Sequence, residues 1–101
     1  MEAPLGLYLQ PAPPRDILTR MLRNLKEIFN SQEDWQRLIK VQDRLLVLHP
    51  DALAEKRDRG LALIELGQNK AARDDLLQYV LAQPDASDVP EIQRRLASLQ
   101  I

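Results

Sequence analysis

The sequence predicts an all-α protein in which two helix–turn–helix units are stacked and a shorter C-terminal helix caps the stack. Three observations support this fold class. Apolar residues recur at intervals of three and four over most of the chain, as they do along one face of an α-helix. Pro50 and Pro84 lie 34 residues apart, and a stretch long enough for two helices precedes each of them. Gly60 and Gly67 lie where the second unit needs a close helix crossing and a helix end.

The composition fits one helical domain and excludes several classes of protein. A chain of 101 residues is long enough to bury one hydrophobic core. Its 14 Lys and Arg residues nearly balance 15 Asp and Glu residues, which removes the basic surface of a dedicated nucleic-acid-binding protein. The lack of cysteine excludes disulfides and thiolate zinc sites. No apolar run approaches the ~20 residues of a membrane span, and the first residues lack the pattern of a secretion signal. We therefore expect a cytoplasmic protein with no membrane or nucleic-acid partner.

Residues 1–14 are predicted to be an extended arm or an interdomain linker. Four prolines in this segment prevent a continuous helix. Residues 5–9 read LGLYL, and this alternation is typical of an extended strand. A disordered tail is the alternative, but disordered tails are poor in large apolar side chains.

The first helix–turn–helix unit is predicted to occupy residues 15–50. Its first helix should run from about Arg15 to Phe29 and its second from about Gln32 to Leu48. Ser31, with Asp34 three positions later, resembles a capping box that would start the second helix. The apolar stripe of the first helix consists of Ile17, Leu18, Met21, Leu22, Leu25, Ile28 and Phe29.

The second unit is predicted to occupy residues 51–84, with helices from about Ala52 to Leu66 and from about Gln68 to Ala82. Gly67 between them suits the left-handed conformation that ends many helices.

Residues 85–101 should form the capping helix. The run Asp88-Val89-Pro90-Glu91 resembles a capping box with proline in the first turn. A single apolar seam on this helix leaves an outer polar face, as the last helix of a repeat array requires.

Shifting the first unit by 34 residues onto the second tests whether they are repeats. The period, the glycine of the first helix, the small Ala72 of the second and the closing proline match a tetratricopeptide unit. Lys26 falls on Gly60 and Leu38 falls on Ala72. Because both replacements are bulky, we expect a wider or shifted crossing between the first two helices.

Several longer segments of the sequence resemble those of a known family. These are ILTRMLRNLKEIF, Trp35, DRLLVLHP, RDRGLALIELG, DLLQYV and Pro84. Over roughly residues 8–101 they resemble the C-terminal tail of a bacterial family that joins an N-terminal transglutaminase-like domain to a short tetratricopeptide tail. The resemblance implies a helical repeat module, an interdomain connector at Leu7–Pro14, and a longer intact protein. The transglutaminase-like portion lies outside these residues, so no activity of that portion is carried over.

The candidate binding surface is the groove that the first and third helices should line. In stacked repeats these helices form the concave side, where residues one period apart are neighbours. Arg23 and Arg57 are such a pair, and two guanidinium groups together suit an acidic peptide or a free C-terminal carboxylate. The alternative is that both are ordinary solvated charges. The candidate partner-binding residues are Arg23, Asn24, Glu27, Arg57, Asp58 and Leu61.

Arg59 occupies a core-facing position and needs a partner for its guanidinium group. Asp74 and Asp75 on the fourth helix are the nearest candidates, which would make a structural ion pair inside the repeat. The alternative is that the Arg57-Asp58-Arg59 run reaches a neighbouring domain or ligand.

Catalysis is disfavoured by the residues available. The chain has one histidine, His49, no cysteine and no glycine-rich phosphate loop. We therefore predict no catalytic, cofactor-binding or metal-binding residues. The prediction is a non-catalytic protein–protein interaction module of a larger cytoplasmic bacterial protein. Two alternatives remain open: a structural tail that docks on and stabilises a transglutaminase-like N-terminal domain, and a self-associating homodimer module.

Overall fold

The computed structural model describes residues 14–99, and these residues form five α-helices with no strand among them. The predicted arm therefore lies outside the described residues except for Pro14. The helices are α1 (Arg15–Ser31), α2 (Trp35–Leu48), α3 (Leu53–Glu65), α4 (Asn69–Ala82) and α5 (Val89–Ser98). The all-α repeat fold predicted from the sequence is confirmed.

The helices stack in chain order. Each packs along its backbone against the next one, α1 on α2, α2 on α3, α3 on α4 and α4 on α5. The radius of gyration is 16.0 Å, whereas a globular domain of this length has a value of about 12 Å. The molecule is accordingly elongated, 52 Å along its longest axis and 26 by 20 Å across.

The two interhelical turns within the units have the same backbone geometry at positions 34 residues apart. Gln32 and Leu66 both have φ −86° and ψ −3°. The next residue in each turn, Glu33 or Gly67, is left-handed, with φ 55° and φ 76° respectively. The 34-residue offset is therefore present in the chain trace, and Gly67 ends α3 as expected. In the first unit the same conformation is forced on a glutamate.

The start of α2 differs from the expectation. Ser31 is still part of α1, and its hydroxyl donates to the Ile28 carbonyl oxygen over 2.9 Å. Asp34 caps α2 instead, because its Oδ1 accepts from the backbone N–H of Arg37 over 3.3 Å. The predicted capping box at Ser31 was therefore wrong, and α2 starts at Trp35 because the left-handed Glu33 interrupts the helical backbone.

The start of α5 also lacks the predicted capping box. Proline lies in its first turn as expected, but the side chain of Asp88 makes no capping hydrogen bond. Its carboxylate is occupied by side chains of α3 and α4, which are described below.

Gly60 marks a close crossing of α3 and α4. A Cβ atom at this position would lie 2.8 Å from Cγ and 2.9 Å from Cδ2 of Leu76, closer than side-chain atoms normally approach. The equivalent Lys26 in α1 allows no such approach, and the backbones of α1 and α2 are in less extensive contact than those of α3 and α4. Both findings agree with the expected difference between the two crossings.

The core contains two clusters of buried side chains. The N-terminal cluster centres on Leu22, Val41 and Leu45, which join α1 to α2. The C-terminal cluster is larger and joins α3, α4 and α5. Its buried members are Leu76, Tyr79, Val89 and Ile92, with six half-buried apolar residues packed against them. In the described part of the chain no helix is long and apolar enough to cross a membrane.

Candidate binding surface along α1 and α3

An open groove of about 550 Å³ separates α1 from the start of α3. Three of the predicted binding residues line it, Arg23, Asn24 and Glu27, and all three are exposed. Lys26, Asn30, Ala54 and Glu55 complete its lining. The groove therefore mixes charged, amide and apolar groups between the two helices that the sequence analysis assigned to the concave side.

A second groove of about 540 Å³ continues along the N-terminal half of α1. It shares Arg23 with the first and adds Arg15, Asp16, Thr19, Arg20 and His49. Since Arg23 lines both, the two grooves form one surface along α1, which we call the α1 surface. Arg20 was not singled out by the sequence analysis, although its place three residues before Arg23 puts both on one helix face.

The positive charges of the α1 surface differ in how they are engaged. Arg15 donates to the Leu48 carbonyl oxygen and lies 3.3 Å from Nδ1 of His49, which holds it against the end of α2. Arg20 and Arg23 make no ion pair with any described residue. Both guanidinium groups are exposed and available to an external anion.

Arg57, the other predicted arginine, is held inside the repeat. Its Nε donates to Asp58 over 3.0 Å, its Nη1 donates to Asp88 over 3.0 Å, and its guanidinium lies 5.5 Å from the centre of the Tyr79 ring. Burial acts to lower the pKa of Arg57, but the hydrogen bond and charge of Asp58 and contacts with Tyr79 and Asp88 raise it. A clamp made of Arg23 and Arg57 would have to break both ion pairs.

Asp88 and Tyr79 complete this cluster between α3, α4 and α5. The Tyr79 hydroxyl donates to Oδ1 of Asp88 over 2.7 Å. This hydrogen bond and the Arg57 guanidinium lower the pKa of Asp88. The same hydrogen bond and burial raise the pKa of Tyr79. The cluster ties the start of the capping helix to the second unit.

Lys26 connects α1 to α3. Its Nζ donates to Oε1 of Glu55 over 2.8 Å and to Oδ2 of Asp58 over 2.7 Å. Burial acts to lower the pKa of Lys26, but the hydrogen bonds and charges of Asp58 and Glu55 outweigh it and raise the pKa. The bulk of Lys26 at the glycine position was noticed in the sequence, but its partners on the next unit were not.

Arg59 forms the structural ion pair that the sequence predicted. Its Nε and Nη2 donate to the two carboxylate oxygens of Asp75 over 2.7 and 2.8 Å, and its Nη1 donates to Asp43 over 3.0 Å. Asp74, the other candidate, is exposed and makes no bond to Arg59. Arg59 thus fastens α3 to both α2 and α4 and is not free to reach a ligand.

The last two predicted residues, Asp58 and Leu61, line a smaller notch between α1, α2 and α3. The notch opens beside the groove, because Lys26 and Asn30 line both. Within residues 14–99 no group of three or more His, Cys, Asp or Glu side chains is placed to hold a metal ion.

Comparisons with known proteins identify the repeat. A family model described as tetratricopeptide repeat matches residues 25–97. A UPF0162 protein of Xylella fastidiosa strain 9a5c is 39% identical over 95 residues, which cover 94% of this chain and 34% of the relative. A UPF0162 protein of strain Temecula1 is 38% identical over 102 residues, covering 97% and 36%. The chain therefore spans about a third of the length of these curated relatives. No solved structure matches the chain.

Proposed function

Because the chain belongs to the tetratricopeptide repeat family, we propose that it is a protein–protein interaction module that binds an acidic peptide segment of a partner along the α1 surface. Repeats of this kind generally act by presenting an extended concave surface to another protein. A non-catalytic role agrees with that general behaviour. The proposal includes a protein partner, the acidic character of the segment that binds, and a cytoplasmic location for this protein.

The observation that carries the proposal is the pair of unengaged arginines on α1. Arg20 and Arg23 line one groove, and Arg23 also lines the groove toward α3. Guanidinium groups bind carboxylates through two parallel hydrogen bonds, which favours an aspartate, a glutamate or a free C-terminus. Asn24 and Glu27 beside them offer hydrogen bonds to a peptide backbone. Arg57 has a structural role in this scheme.

The test compares two double variants that remove the same charge. Arg20→Gln with Arg23→Gln removes two cations from the α1 surface, and Lys70→Gln with Arg73→Gln removes two exposed cations from α4. The probe is a fluorescein-labelled peptide that ends in two glutamates, followed by fluorescence anisotropy. We expect binding to weaken about tenfold or more in the first variant, because one charge-assisted hydrogen bond contributes about 1.5–3 kcal/mol, and to change little in the second.

Equal weakening in both variants would mean that the peptide responds only to net charge, which refutes the site. Undiminished binding to the first variant would also refute it. The same peptide with an amidated C-terminus separates the two kinds of carboxylate on the wild-type chain. A lower affinity for the amidated peptide identifies binding of the C-terminal carboxylate. An equal affinity identifies binding of the glutamate side chains.

A second candidate function is favoured by an apolar stripe on α1. Ile17, Met21, Leu25 and Ile28 are 39–53% exposed, and they lie on the side of α1 away from Arg23, given the 3.6 residues in each turn. An exposed stripe of this kind marks a contact surface. We propose that it packs against another part of a longer protein, for which the family resemblance suggests a transglutaminase-like domain. A second copy of the chain is the competing occupant.

Sedimentation and binding measurements distinguish these occupants. The wild-type chain and the Met21→Glu variant are compared alone and with the portion of the Xylella UPF0162 protein outside the matched region, supplied as a separate chain. Docking predicts a monomer that binds this portion and a variant that does not. A wild-type dimer that becomes monomeric in the variant would replace docking by self-association, and a monomer that ignores the added portion would refute docking.

A further inference from the structure

The notch beside the α1–α3 groove contains a buried polar side chain with an unmet hydrogen bond. The notch has a volume of about 290 Å³. Gln42 of α2 lines it and is only 1% exposed, yet its Oε1 accepts no hydrogen bond from any described residue. No other side-chain polar atom that is fully buried in the described part of the chain lacks a partner. The lining includes Lys26, Asn30, Leu38, Gln42, Asp58 and Leu61.

An unmet acceptor at this depth is costly, because burial removes it from water without replacing the lost hydrogen bond. A leucine or methionine of similar size would fill the same space without that cost. The position lies four residues after Leu38 and three before Leu45, on the buried face of α2 where apolar residues are the rule. A glutamine at such a position is a candidate for ligand recognition.

The surroundings define the group that would satisfy Gln42. The group must donate a hydrogen bond to Oε1. It should be neutral, because the notch charges are already paired, Lys26 with Asp58 over 2.7 Å and with Glu55 over 2.8 Å, and a buried cation would have no counter-charge. Its stem should be apolar, because Leu38 and Leu61 line the walls. A side-chain carboxamide meets all three requirements and can also accept a hydrogen bond in return.

We propose, building on the peptide-binding function above, that the notch binds the side-chain carboxamide of an asparagine or glutamine in the bound peptide. Lys26 and Asn30 line both the groove and the notch, so the two adjoin and a peptide in the groove can place a neighbouring side chain in the notch. Arg23 and Asn30 are seven residues apart, or about 10 Å along a helix. At about 3.3 Å for each extended residue, the carboxamide residue lies three positions from the acidic residue held by the arginines.

The test uses capped amino acids as probes, followed by nuclear magnetic resonance of the ¹⁵N-labelled chain. N-acetylglutamine methylamide is compared with N-acetylmethionine methylamide, which has a similar shape, and with N-acetylglutamate methylamide. We expect the glutamine probe to shift the side-chain NH₂ signals of Gln42 and the backbone signal of Leu61, with an affinity at least fivefold above that of either other probe. Equal affinities, or no shift at Gln42 because only water fills the notch, would overturn the proposal.

Two variants of the chain provide a second test, which depends on Gln42 itself. Gln42→Met removes the unmet acceptor, and Gln36→Met is the control, because Gln36 is an exposed residue of the same helix. We expect Gln42→Met to raise the thermal midpoint and to lose the preference for the glutamine probe, with neither change in the control. A preference that survives in Gln42→Met, or a lowered midpoint, would contradict the proposal. If Gln42→Met does not fold, the comparison of the three probes on the wild-type chain decides.

The failure of this proposal can be told from failure of the peptide-binding function. Loss of probe selectivity with intact dependence on Arg20 and Arg23 leaves the acidic peptide site standing without its carboxamide pocket. Intact selectivity with no dependence on the arginines removes the acidic peptide and the spacing derived from it. When both the selectivity and the dependence on the arginines are found, a pair of labelled peptides, with glutamine or methionine three residues from a glutamate, tests the spacing on the wild-type chain.

Discussion

Replacing Gly60 by alanine tests the close crossing on which the second unit is built. The added Cβ would lie 2.8 and 2.9 Å from two carbon atoms of Leu76 and 3.2 Å from Cβ of Asp75. Neither neighbour can move away easily. Leu76 has no exposed surface and belongs to the C-terminal cluster, and Asp75 is held by two hydrogen bonds from Arg59. The new methyl group must therefore separate α3 from α4.

Two effects of opposite sign determine the magnitude. Alanine is favoured over glycine within a helix by about 1 kcal/mol. Overpacking a core typically costs about 1–3 kcal/mol, and the upper part of that range applies because two carbon contacts fall below 3.0 Å at once. We expect a net loss of about 1–2 kcal/mol in the free energy of unfolding, or about 5–15 °C in Tm for a domain of this size.

Urea unfolding followed by far-ultraviolet circular dichroism measures this loss. Ala71→Gly is the control, because Ala71 is exposed in α4 and its replacement reports the propensity difference, about 1 kcal/mol, without any packing change. An unchanged m-value would show that the variants expose the same amount of surface on unfolding as the wild-type chain does. If Gly60→Ala is as stable as the wild-type chain or more stable, the crossing does not need glycine and the packing argument is wrong.

Three further predictions concern the turn, the internal ion pair and the acid side of the stability curve. Gly67→Ala should lower the free energy of unfolding by about 1 kcal/mol because of its positive φ, although no atom lies within 4 Å of the new Cβ; Gly67→Asn should cost less, and equal losses would contradict the conformational cause. Arg59→Lys should cost about 1–2 kcal/mol in urea unfolding, because lysine cannot make both hydrogen bonds to the buried Asp75; no loss would mean that one bond suffices. Asp88 has a pKa lowered first by the hydrogen bond from Tyr79, so its contribution is present above the unfolded-state pKa and is lost as the pH falls through the folded-state value. Asp88→Asn should therefore reduce the fall in the free energy of unfolding at acid pH. An unchanged fall would mean that other carboxylates cause it.

The repeat could be predicted from the sequence because its signals are local or periodic. Pro50 and Pro84 fix the offset, and the offset recurs in the turn geometry at Glu33 and Gly67. Gly60 was informative because a glycine inside an apolar helical pattern needs a packing reason. The partner of Arg59 followed from the antiparallel pairing of α3 with α4. Each of these inferences used only residues that are close in the sequence or one 34-residue period apart.

The candidate surface was predicted less well because it depends on contacts between the units. Arg23 lines the α1–α3 groove, but Arg57 is held by Asp88, a residue of the capping segment that no periodicity brings near. Lys26 was treated as a bulky replacement, and its bonds to α3 depend on how the units stack. Gln42 carried a usable signal: it is a polar residue at a buried helical position.

The unequal size of the two core clusters affects how the chain loses its structure. In a linear array each unit depends on its own contacts and on its immediate neighbour. The first helix rests on the smaller cluster and is tied to the third helix by Lys26, so we expect it to detach before the rest of the chain unfolds. Amide hydrogens of the first helix should then exchange faster than those of α4. A ligand on that helix would spend part of its binding free energy holding it in place, so affinity and local order are coupled in this molecule.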